Sequence, residues 1–65
     1  MSMKVIRLDA VLNKTGLSRS AMYKMIAERD FPEPIKLGAR AAGWICEEVE
    51  EWIQTRISAR NGGGL

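Results

Sequence analysis

From Leu17 to Ala27 the apolar and polar positions separate cleanly when the chain is advanced at roughly 100° per residue. Leu17, Ala21, Met22, Met25 and Ile26 fall on one broad face, and Arg19, Ser20, Tyr23, Lys24 and Ala27 on the other. The segment is bounded as a helix should be. Gly16 stands where a preceding helix would end on a residue free to take positive φ, and Ser18 offers a hydroxyl at the N-cap. The pattern predicts a helix over 18–28. Ahead of it Leu8, Val11 and Leu12 recur at helical spacing, with Asp9 placed to cap a short helix from Ala10 to Lys14 or Thr15. That helix is barely two turns long and depends on packing against the second.

The remaining pattern is mixed. Val5-Ile6-Arg7-Leu8 reads either as a brief strand or as an extended lead-in, with residues 1–4 expected to be loose. Asp30-Phe31-Pro32-Glu33-Pro34 cannot continue a helix, and Phe31, the single phenylalanine, is expected to plug the core. Ile35-Lys36-Leu37 alternates as a half-buried strand does, residues 38–43 form a turn with Arg40 near its tip, and Trp44-Ile45 begins the return strand. A last helix is predicted from Glu47 to Ala59 or Arg60. Val49, Trp52, Ile53 and Ile57 form its buried stripe, and Arg56 lies beside that stripe. Trp44 and Trp52 are both expected to be largely buried. Cys46 sits at the N-cap position of this helix and is assigned no chemistry. The fold class is therefore mainly α with a small β-hairpin, a winged helix-turn-helix domain over residues 1–60 with a flexible tail at 61–65.

Composition narrows the function. With one cysteine and no histidine among 65 residues, an internal disulfide and a zinc finger are excluded. No signal peptide or membrane-length apolar run is visible, so a cytoplasmic protein is expected. No serine lies beside a base and no glycine-rich phosphate loop precedes a helix, so neither an enzyme nor a cofactor or metal site is expected. The net charge of +2 says less than its distribution. Between Lys14 and Trp44 the cations Lys14, Arg19, Lys24, Arg29, Lys36 and Arg40 outnumber Glu28, Asp30 and Glu33, whereas Glu47, Glu48, Glu50 and Glu51 crowd one short stretch. A basic half joined to an acidic segment suits a nucleic-acid binder whose acidic face looks away from phosphate.

The outward face of the 18–28 helix carries a guanidinium, a hydroxyl, a phenol and an ammonium but no carboxylate, the donor set a recognition helix brings to a major groove. Arg19, Ser20 and Tyr23 are the candidate base readers, with the fork of Arg19 matched to guanine O6 and N7. Ser18, Lys24, Lys36, Arg40 and Lys14 are candidates for phosphate or minor-groove contacts, Arg40 from the wing over 38–43. A single module of this size covers about 600–1,000 Å² on DNA, so a homodimer or a cooperative multimer on double-stranded DNA is expected. A protein-binding antirepressor module acting through the acidic face of the last helix is the rival reading.

Three stretches resemble the AlpA family of small phage-type regulators, itself similar to excisionase and MerR-like winged-helix domains. They are Thr15-Gly16-Leu17-Ser18-Arg19-Ser20 with Tyr23-Lys24; Phe31-Pro32-Glu33-Pro34-Ile35-Lys36-Leu37-Gly38; and Arg40-Ala41-Ala42-Gly43-Trp44 with Glu48-Val49-Glu50-Glu51-Trp52-Ile53. The order and spacing of the three carry the resemblance, which covers roughly Arg7 to Arg60. It implies a DNA-binding transcriptional regulator of a prophage or mobile element, bacterial and nucleoid-associated, or alternatively an excisionase-type architectural factor. Two positions depart from the family pattern. Ala21 replaces a more usual threonine, removing a hydroxyl contact, and Cys46 replaces a commoner serine or acid at the start of the last helix.

Overall fold

The computed structural model describes residues 3–62, in the order β1 (Val5–Ile6), α1 (Leu8–Thr15), α2 (Arg19–Ala27), β2 (Ile35–Gly38), β3 (Ala41–Ile45) and α3 (Cys46–Gly62). The α1–α2 turn forms as the residues dictate. Gly16 takes φ 76° and donates its N–H to the Leu12 carbonyl at 2.7 Å, which ends α1. Thr15 Oγ1 donates to the Val11 carbonyl at 2.9 Å and accepts from the Leu17 N–H at 3.2 Å. Ser18 Oγ accepts from the Ala21 N–H at 3.1 Å and so caps α2. The start of α1 corrects the expectation for Asp9. Leu8 already belongs to the helix and Arg7 holds the N-cap without a side-chain bond, so Asp9 lies in the first turn, where its charge complements the helix dipole.

Helix α2 leaves through a Schellman turn. The N–H groups of Arg29 and Asp30 donate to the carbonyls of Ile26 and Met25 at 3.0 and 2.8 Å. Arg29 takes φ 61° there, a position where glycine is the unstrained residue. The following segment hangs from two indoles: Trp44 Nε1 donates to the Pro32 carbonyl at 3.0 Å and Trp52 Nε1 to the Asp30 carbonyl at 2.7 Å. Phe31 is buried as expected, its ring edge-on to Trp52 at 4.8 Å between centroids.

The expected hairpin is the larger part of a three-stranded antiparallel sheet, in the order β1-β3-β2. Val5 pairs with Ile45 and Ile6 with Trp44, which settles the open reading of the lead-in as a strand. Lys4 is tied as well, its carbonyl accepting from the Cys46 N–H at 2.7 Å. Ile35 pairs with Gly43 and Lys36 with Ala42, but Gly38 with Ala41, so a bulge falls at Leu37. The turn is shorter than expected: Gly38 ends β2, Ala41–Gly43 belong to β3, and only Ala39 and Arg40 lie between the strands. Neither has positive φ, so the turn is not of the primed type that matches strand twist, and the bulge absorbs the mismatch.

Val11, Met22, Phe31, Trp44 and Val49 form the buried core, with Ile6, Leu8, Leu12, Leu17, Met25, Ile26, Trp52 and Ile53 packed around it. Three burial expectations need correction. Trp52 is half-buried rather than enclosed, and Ile57 is exposed. Helix α3 spans about 25 Å against about 12 Å for α1, so its later turns run past the core. Ile35 and Leu37 are also exposed, because they share the sheet face of Gly43, opposite the one that Trp44 turns to the core. Helix α3 begins at Cys46, immediately after β3, and continues through residues 61 and 62 of the expected tail. Residues 1–2 and 63–65 lie outside the described residues.

Candidate nucleic-acid interface

Arg19, Ser20, Tyr23 and Lys24 all project from the exposed side of α2. Arg19 and Tyr23 are four residues apart, as are Ser20 and Lys24, so each pair stacks one helical turn above the other. Ser18 spends an acceptor lone pair on its cap and keeps its hydroxyl proton for another partner. Met22, fully buried between these outward residues, fixes the rotation of the helix. This is the face the periodicity predicts.

The β2–β3 turn comes close to this helix. Tyr23 and Arg40 line one shallow groove of about 290 Å³, together with Arg7, Leu8, Asp9, Ala42 and Trp44. Trp44 is held by its bond to Pro32, so one groove wall is rigidly built. Lys36 pairs with Ala42 and therefore shares the sheet face that borders the groove. Arg7 is the residue the sequence does not single out. Its place depends on β1 lying beside β3, a pairing across 40 positions that no local pattern reveals.

Charge pairing divides the candidates. Among the described residues, Arg7, Arg19, Lys24, Lys36 and Arg40 form no ion pair. Lys14 stands apart from them: its Nζ lies 3.2 Å from Glu50 Oε2, on the side of α3. Arg56 is committed to the fold, 2.8 Å from Asp30 Oδ2 and with its guanidinium 4.6 Å from the centre of the Trp52 ring. Glu47, Glu48, Glu50 and Glu51 all lie on the first turns of α3 and take no part in the groove. An array of exposed donors that no carboxylate pairs among the described residues, carried on a helix and a turn, can engage a polyanion over more than one contact.

Comparison with known proteins gives the same direction. Residues 4–57 match the family model described as prophage CP4-57 regulatory protein (AlpA). The chain is 35% identical over 60 residues to an uncharacterised protein, ORF88, of Enterobacteria phage P4, covering 92% of this chain and 68% of that one. It is 33% identical over 61 residues to the DNA-binding transcriptional activator AlpA of Escherichia coli strain K12, covering 85% of this chain and 87% of that one. No helix among the described residues is long and apolar enough to cross a membrane.

Proposed function

Because the chain belongs to the AlpA family of prophage regulatory proteins, we propose that it is a sequence-specific transcriptional regulator reading the DNA major groove with α2. Arg19 and Ser20 approach base edges from the first turn of the helix, and Tyr23 does so from the next. Lys24, Lys36 and the Ser18 hydroxyl hold backbone on either side, and Arg40 follows the flanking strand from the β2–β3 turn. Lys14 is given no contact, since Glu50 holds it at α3. The observation that carries this reading is the exposed polar face of α2, which holds no carboxylate and whose Tyr23 shares one groove with Arg40 of the turn. One copy covers few base pairs, so copies load as a dimer or a cooperative row, in the bacterial cytoplasm on the nucleoid.

Selection of bound duplexes from a random pool tests the proposal. A short recovered consensus, bound at least a thousandfold more tightly than random duplex, is the expected outcome. Recovery of no consensus, with salt-insensitive or absent binding, would leave the acidic face of α3 and a protein partner as the better reading.

A further inference from the structure

We infer that Arg7 and Arg40 converge on one phosphodiester of the duplex backbone, in the groove between α1, Tyr23 and the β2–β3 turn. The inference rests on the reading of α2 as the DNA-reading helix and extends it to a residue on the strand-to-helix junction. The place of the β1–α1 junction beside β3 brings the two arginines to one groove. Ile6 pairs with Trp44, and the chain leaving β1 runs antiparallel along β3 toward the turn. Arg7 leaves β1 as the N-cap of α1 and lines the same groove as Arg40, Ala42 and Trp44.

Both side chains line the same groove, and neither has a carboxylate within ion-pair distance among the described residues. Asp9 lines the groove as well without pairing to either, which leaves a net positive lining. Two guanidiniums brought to one groove repel each other until an anion enters between them. A phosphodiester suits them because each planar fork can donate two parallel hydrogen bonds to its oxygens. Tyr23, 48% exposed, supplies the wall on the side of α2, so the bound phosphate sits where backbone flanking the read groove must pass. The strands on either side fix the spacing of the clamp. Binding there therefore sets the position of the turn relative to α2 without rearranging the sheet.

The test is equilibrium binding of the parent, Arg7→Ala, Arg7→Lys, Arg40→Ala, the double alanine variant and Lys14→Gln, on the selected site and on random duplex, across a salt series. Arg7→Ala should weaken both duplexes by the same factor, about tenfold, with an unchanged melting temperature. Arg7→Lys should keep the salt slope while losing part of the affinity, because it retains charge but not the fork. The double variant should flatten the slope by about one unit, since one phosphate is released, and Lys14→Gln should leave it unchanged. Arg7→Ala binding like the parent, or acting on the selected site alone, would overturn the inference. So would a slope loss of about two units in the double variant, the mark of two separate phosphates. A parent protein that binds neither duplex at low salt would instead defeat the DNA reading on which the inference stands.

Discussion

On the α3 side of this molecule Lys14 is tied to Glu50 and Arg56 to Asp30, while on the α2 side Arg7, Arg19, Lys24, Lys36 and Arg40 have no such partner among the described residues. The two sides also differ in what lies beneath the charges. Arg56 stacks on Trp52, and Trp52 in turn holds Asp30 and Phe31, so those polar groups close the fold. On α2 the polar side chains rest on a helix whose inner face alone packs, through Met22, Met25 and Ile26. Charge on the first side is part of the architecture. On the second, no ion pair among the described residues takes it up.

That contrast predicts two classes of variant: one that moves stability and leaves DNA contacts intact in whatever still folds, and one that does the reverse. The largest effect belongs to Trp44→Ala. Its indole is buried and holds Pro32, so its loss should cost about 3–5 kcal/mol in a denaturant titration, most of the stability of so small a domain. Gly43→Ala comes next. A Cβ there meets Val5 Cγ1 at 2.5 Å, Leu37 Cδ1 at 3.0 Å and the Ile6 carbonyl oxygen at 3.2 Å, so the Val5 side chain must move and the Ile6 backbone must give slightly. A loss of about 1–3 kcal/mol is expected, and a melting curve like the parent's would mean that the β1–β3 pairing is not held as described. Arg29→Gly should gain about 0.5–1 kcal/mol, relief of the φ 61° strain outweighing the added chain entropy. The smallest change is Glu50→Gln. An exposed pair contributes about 0–1 kcal/mol, and neither duplex affinity nor its salt slope should respond.

The parts legible in the sequence are those set by neighbours along the chain. Gly16, Ser18 and the spacing of Leu17, Met22 and Ile26 define the turn, the cap and the rotation of α2 within a dozen residues, and the structure agrees at each. What escaped is set by pairing at a distance or by phase. Alternation in Ile35-Lys36-Leu37 marks a strand but cannot say which set of side chains faces the core. Here Lys36 lies on the core-side face, at its margin, while Ile35 and Leu37 turn outward. The helical stripe through Ile57 is real as a pattern, yet nothing in it reveals that α1 is too short to cover that end of α3. Arg7 was invisible as a site residue for the reason that left the lead-in open between strand and extended chain: both depend on β3, some 40 positions further on. Charge counting likewise could not tell Lys14, which pairs with Glu50, from Lys24, which has no ion pair among the described residues.

The claim that the outward face of α2 reads DNA meets its most direct test in Arg19→Ala, measured on the selected site and on a panel carrying each single base-pair change. Arg19 is exposed and its side chain forms no hydrogen bond or ion pair among the described residues, so the melting temperature should not move. Affinity for the selected site should fall by about 1–3 kcal/mol, with preference relaxed at one base pair and kept at the others. Lys24→Ala on the same panel should weaken every duplex alike and flatten the salt slope by about one unit. An Arg19→Ala protein that binds the selected site as tightly as the parent, with the same base preferences, would contradict the account.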